Sequence, residues 1–178
     1  MDLRVQRTRR SIINAFIELR AKKPLEKITV KELSDLAFIN KATFYTHYKD
    51  IYDLAEQLEN EAIASALNDI PHPEYLITRP KEGLVELTTA INSQNQLFRI
   101  LFSDSRQGLL VKKLEKHLKD IYYERNPEYK NNLEKDLLLS VLIQGCFHAF
   151  FSHSNDDFDT VIDILGNINE CLIFNYKK

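Results

Sequence analysis

Residues 28–49 read ITVKELSDLAFINKATFYTHYK, and two helix starts inside this stretch decide the fold. Thr29-Val30-Lys31-Glu32 has capping-box spacing: the Thr29 hydroxyl can accept from the Glu32 amide while the Glu32 carboxylate reaches back to Thr29. Ile28 and Leu33 hold the two positions of a hydrophobic staple across that start. Asn40 is a second N-cap, with Ile39 and Phe44 in the same two roles. The caps lie eleven residues apart. That spacing leaves room for a helix of about two turns and a tight turn, the layout of a helix-turn-helix unit.

Working outward, the helix after Asn40 has two unlike sides. At about 100° per residue, Phe44 and Tyr48 share one face and are expected to pack on neighbouring helices. Ala42, Tyr45, Thr46 and Lys49 point the other way, with Lys41, Thr43 and His47 on the flanks. Short side chains on that arc let a helix sit deep in a major groove, and hydroxyls, a cation and an imidazole suit phosphates. Upstream, Ile12, Ala15, Phe16 and Leu19 recur at helical spacing from Thr8 onward. This first helix is expected to end near Lys22 or Lys23, because Pro24 cannot sit in a helix interior.

The net charge of −2 hides an asymmetry. Residues 1–49 hold 11 Lys and Arg against 5 Asp and Glu, while residues 50–178 hold 13 against 21. A basic head on an acidic body suits a polyanion, since each phosphate neutralised releases condensed counterions. A merely solvated basic face is the lesser reading of the same charge.

The run NKATFYTHYKDIYDL, preceded by ITVKELSDLAFI, resembles the DNA-binding region of the tetracycline-repressor-like (TetR) family over about residues 8–54. The residues that carry the resemblance are Ile12 and Ala15, Thr29 and Val30, and the signature Thr43, Phe44, Tyr45, His47 and Tyr48. It implies that Tyr45 and His47 contact phosphates, that Thr29 sets its helix start against the DNA backbone, and that Lys41, Ala42, Thr43 and Thr46 face base edges. Three positions depart from the family pattern. Phe38 stands where the turn is often glycine, and φ > 0 strains a phenylalanine, so a different turn geometry is expected. Ala42 replaces the glycine that often precedes the signature threonine. Ile51 replaces the lysine that commonly opens the fourth helix, which leaves Lys49 as the candidate for that phosphate charge.

Residues 50–178 read as a second, helical domain. Asp50 can cap a fourth helix running to about Asn68, long enough to connect head and body. Pro71, Pro73 and Pro80 mark a loop, and apolar residues then recur through Leu84, Leu87, Ile91, Leu97, Ile100 and Leu101 as short helices. Val111, Leu114, Leu118, Ile121 and Tyr122 form a further stripe that ends before Pro127. Segments 133–151 and 158–174 are apolar round most of their circumference and must be covered on many sides. Asp156, Asp157 and Asp159 suit the start of the last helix, so the pair is expected to form an αα-hairpin. Two such hairpins about a twofold axis make a four-helix bundle, the dimer that the resemblance also implies. Cys146 and Cys171 are expected to be buried hydrophobes about 12 Å apart along that hairpin, too far for a disulfide. Phe98, Phe102, Tyr122 and Phe147 could wall an effector pocket, with Gln144 and His148 orienting a polar group. Ordinary core residues fit the same pattern.

The expectation is therefore an all-α homodimer with a helix-turn-helix domain over 1–49 and a ligand-binding and dimerisation domain over 50–178. It binds a palindromic operator in double-stranded DNA, represses transcription, and is released by a small molecule or partner. The rival from another class is a helical adaptor whose basic head binds a protein or other polyanion. An enzyme is not expected, for there is no Gly-rich phosphate loop, no His-Glu-x-x-His and no Gly-x-Ser-x-Gly, and the histidines at 47, 72, 117, 148 and 153 are scattered. No cofactor or metal is expected. The arginine-rich start lacks the apolar core of a secretory signal, and 137–151 falls short of a membrane span, so a cytoplasmic location without membrane attachment is expected.

Overall fold

A computed structural model describes residues 3–93, 95–103 and 106–175. Among the described residues there are ten α-helices and no strand, an all-α fold. No helix among them is long and apolar enough to cross a membrane. The chain divides into two compact units. One takes the chain up to Ala62 together with Gln96–Gln107, and the other takes Ile63–Asn95 with the chain from Gly108 on.

In the first unit, α1 spans Leu3–Arg20, starting earlier than the apolar spacing suggests because Leu3, Arg4, Gln6 and Arg7 are good helix formers. Ile12, Ala15, Phe16 and Leu19 form its buried face. Its end comes at Arg20, with Lys22 and Lys23 in a turn closed on the Leu19 carbonyl before Pro24. Helix α2 spans Val30–Leu36, and Thr29 Oγ1 accepts from the Glu32 amide at 3.2 Å. The capping box is only half made: the Glu32 carboxylate pairs instead with Lys23, whose full charge attracts it more strongly than a neutral amide does. Helix α3 spans Lys41–Tyr45 and packs on α2, which packs on α1. Ile12, Phe16, Leu25, Leu33, Phe44 and Leu54 are at most 1% exposed and form the centre of this core.

Helix α4, Ile51–Asn68, starts with the Asp53 amide donating to Asp50 Oδ1 at 2.8 Å and runs about 27 Å at 1.5 Å per residue. The unit boundary falls inside it, so one continuous helix belongs to both units. Helix α5 (Tyr75–Thr78), α6 (Pro80–Ser93) and α7 (Asn95–Leu101) follow. The segment 96–107 returns to the first unit, held there by two arginines. Arg20, 4% exposed, donates to the Ser103 carbonyl at 3.2 Å. Arg106 donates through Nε to Glu59 Oε1 at 2.7 Å, and its Nη2 lies 2.6 Å from the same oxygen, with Glu59 1% exposed.

The second unit is built on α6, α8 (Gln107–Arg125), α9 (Leu133–Ser152) and α10 (Phe158–Asn175). Helix α6 packs on α5 and α10, and α10 on α9. Leu84, Ile162 and Leu165 form a buried cluster, with Cys146, Ala149, Phe150 and Val161 against it. Gly83 permits the closest approach: a Cβ there would stand 2.5 Å from the Leu76 nitrogen. Gly83→Ala is therefore expected to destabilise the protein by about 1–3 kcal/mol, read by urea unfolding, because backbone rather than a flexible side chain must move.

The α9–α10 pair is the expected hairpin, capped by Asn132, which accepts from the Lys135 amide at 3.1 Å, and by Asp157, which accepts from the Thr160 amide at 2.9 Å. Hydrogen bonds from Thr160 hold the Asp157 carboxyl below its usual range. Within each helix one side is covered and the other is not. On α10, Ile162, Leu165, Asn169 and Ile173 are buried while Ile164, Ile168 and Leu172 are exposed. On α9, Leu139 and Leu142 are buried while Leu133, Leu137, Val141 and Phe151 are exposed. Of the fourteen exposed large hydrophobics among the described residues, nine lie on these two helices, which makes them stripes rather than scattered residues. Cys171 is exposed on the same side of α10 and is not the buried hydrophobe expected, since the outer face of that helix is apolar but uncovered in the protomer. Cys146 is half-buried, shares hydrogen bonds with Asn169 at 3.0 and 3.2 Å, and has its thiol pushed up by burial.

Candidate nucleic-acid interface

Asn40 organises the start of α3, its Oδ1 accepting from the Thr43 amide at 2.7 Å and from Thr43 Oγ1 at 3.0 Å. Regular helix ends at Tyr45, and a tightened turn carries the chain on: the His47 and Tyr48 amides both donate to the Phe44 carbonyl, at 2.9 and 3.0 Å. The helix expected after Asn40 is thus a short one extended by one tight turn. Phe44 and Tyr48 are buried, as the spacing requires, and burial pushes the Tyr48 phenol up.

Lys41, Ala42, Tyr45, Thr46 and Lys49 are exposed on the other side, with Thr43 and His47 half-buried at its edges. Aromatic contacts brace the two polar rings. Tyr45 meets Phe44 edge-on with centroids 5.5 Å apart, and the His47 ring lies 6.3 Å from that of Tyr48. The two threonine hydroxyls already spend their protons within the chain, Thr43 on Asn40 and Thr46 on the Thr43 carbonyl at 2.7 Å. Each is left to act outward as an acceptor.

Thr29 is exposed at the start of α2, its hydroxyl accepting from Glu32. Lys31, two residues on, adds an exposed cation that helix spacing alone does not single out. Ile51 is 5% exposed, so its position belongs to the core and cannot present a charge. The Lys49 side chain is exposed, while its amide donates to Asp53 Oδ2 at 2.9 Å. Hydrogen bonds from that amide and from Gln57 hold the Asp53 carboxyl below its usual range. The turn before Asn40 keeps the left-handed geometry despite Phe38, which has φ 55°. Hydrogen bonds from the Phe38 and Ile39 amides to the Asp35 and Ser34 carbonyls, at 3.3 and 3.0 Å, over-determine it.

The residues considered for an effector pocket are divided between the units. Phe98 and Phe102 are buried in the first, stacked at 5.7 Å. Tyr122 stacks on Tyr129 at 6.3 Å in the second, where Phe147 meets Phe151 at 4.6 Å. His148 is exposed. The Gln144 amide donates to Glu115 Oε2 at 2.5 Å as part of a polar network between α8 and α9. Burial pushes the Glu115 carboxyl up, but hydrogen bonds from Ser140, Gln144 and Lys119 hold it below its usual range. Lys119 also pairs with Asp136 at 2.8 Å, and Tyr123 donates to Asp136 at 3.1 Å. Gln144 thus already has a charged partner within the chain.

No protein-family model matches the chain, and no curated protein or solved structure matches it significantly.

Proposed function

We propose that this chain is a sequence-specific, TetR-like DNA-binding transcriptional regulator that binds a palindromic operator as a homodimer. The observation that carries the reading is the two-sidedness of Asn40–Lys49: Phe44 and Tyr48 are sunk in the core while Lys41, Ala42, Tyr45, Thr46 and Lys49 form one exposed arc. Tyr45 and His47 hold phosphates, joined by Lys49 and by Thr29 at the start of α2. Ala42 lets the helix approach base edges. Thr43 and Thr46, as acceptors, suit the amino groups of adenine or cytosine rather than phosphate oxygens.

The apolar stripes on α9 and α10 support pairing with a second copy, which covers both helices and presents two recognition helices to successive major grooves about 34–36 Å apart. A small molecule or partner that favours another spacing of the heads releases the DNA, by no more than its differential affinity for the two states. Helix α4, common to both units, is the element such a signal acts through. Repression follows most simply, because a dimer seated on a promoter blocks polymerase without an activating surface.

The test is Tyr45→Ala with His47→Ala in the full chain. Loss of one hydrogen bond from each side chain in each protomer is expected to weaken binding to all duplexes on the order of 100-fold or more, read by fluorescence anisotropy, with the oligomeric state unchanged. Binding equal to the parent's rejects the assignment of the site.

A further inference from the structure

Phe38 closes the turn between α2 and α3 with φ 55°, the one non-glycine residue with positive φ among the described residues. Backbone sterics disfavour this conformation for any residue with a Cβ, and most for a bulky one. A glycine makes the same helix ending without strain. The ring returns nothing to the protomer, for Phe38 is 94% exposed. A large apolar side chain held in a strained backbone and left in solvent has its use outside the fold.

The surroundings identify what lies against it. Phe38 is two residues before the Asn40 cap and three before Lys41, so its Cα lies within about 11 Å of the first residue of α3. Lys41, three residues on at the start of α3, is exposed. An exposed apolar ring three residues before a cation, at the start of the proposed recognition helix, matches a duplex edge, where phosphates alternate with the thymine C5 methyl, the apolar group of the major groove. A purely apolar protein pocket has no use for the Lys41 charge.

We propose that Phe38 is a DNA-contact residue whose ring packs on a thymine methyl at the edge of each half-site. The proposal rests on the DNA-binding reading of α3. It makes thymine the favoured base at that edge.

The experiment uses the full chain and the duplex it enriches from a randomised pool. Phe38→Gly relieves the backbone while removing the ring, so stability and affinity move in opposite directions. The variant is expected to melt at a higher temperature and to bind the duplex about tenfold more weakly per half-site. Phe38→Asn, which tolerates the left-handed region, is expected to do the same. Replacing thymidine by deoxyuridine one position at a time is expected to weaken the parent at one base pair per half-site and to leave Phe38→Gly unaffected there.

Parent-like affinity in both variants overturns the proposal, as does a deoxyuridine effect that is equal in parent and variant. A lower melting temperature for Phe38→Gly overturns it too, because the strain that motivates it is then absent. If Tyr45→Ala with His47→Ala loses binding while Phe38→Gly keeps it, the proposal for Phe38 fails alone. If the parent enriches no duplex, the DNA-binding reading fails with it.

Discussion

The chain carrying Val141→Glu together with Ile168→Glu is expected to run as a monomer and to lose operator binding. Val141 is 58% exposed and Ile168 49% in the protomer, so neither contributes much to the core of its own chain. Charged side chains at such positions cost the protomer within about 0.5 kcal/mol, and the helical signal stays at the parent's level. In a bundle made by two copies of α9 and α10 the same glutamates are buried without partners, at several kcal/mol each, and the symmetry presents every substitution twice. The dimer dissociation constant is expected to rise by a factor of about 1,000 or more, read by analytical ultracentrifugation over a range of concentrations. Operator affinity falls with it, by about 100- to 10,000-fold, because a lone recognition helix has no linked second site. A variant that stays dimeric at the parent's concentration shows that the stripes face something other than a second copy.

Arg106→Met is expected to cost about 3–5 kcal/mol of stability, the range for a buried charge that loses its ion partner. Glu59 is 1% exposed and is held by Arg106 through two contacts under 3 Å. The pair fastens segment 96–107 to α4 within the first unit, so the loss falls on the unit that carries α3. Adding Glu59→Leu to Arg106→Met is expected to recover most of the loss, since replacing both members by apolar groups is near neutral in a buried site. Urea unfolding of the parent, the single variant and the double variant measures this directly. A single variant within about 1 kcal/mol of the parent contradicts the assigned role of the pair.

What could be read without a structure is what each helix decides locally. Thr29 and Asn40 each accept from an amide three residues on in their own helix, so spacing suffices to find them. Phe44 and Tyr48 are buried, and Tyr45 exposed, because 3.6 residues per turn leaves no other choice once one face is covered. The α9–α10 hairpin was legible for the same reason, its apolar circumference and its acidic start being local features.

The rest depended on partners distant in the chain. Glu32 abandons its own cap for Lys23, nine residues away, and Gln144 is engaged by Glu115, 29 residues away. The return of 96–107 to the first unit depends on Arg20 and Glu59, 83 and 47 residues from the groups they meet, a separation no periodicity encodes. Cys171 looked like core because its helix is apolar all round, and periodicity does not say which apolar face the protomer itself covers. Phe38 was legible as a problem but not in its outcome, since flanking hydrogen bonds decide whether a turn yields to a bulky residue.

The most direct measurement is selection of the full chain on a randomised duplex pool at moderate salt, followed by sequencing of what it retains. The expected result is an inverted repeat whose half-sites are centred about 10 base pairs or a multiple apart, with affinity falling steeply as salt rises. Retention of duplexes without any common element, or of none at all, contradicts the claim that the exposed arc of Asn40–Lys49 reads DNA.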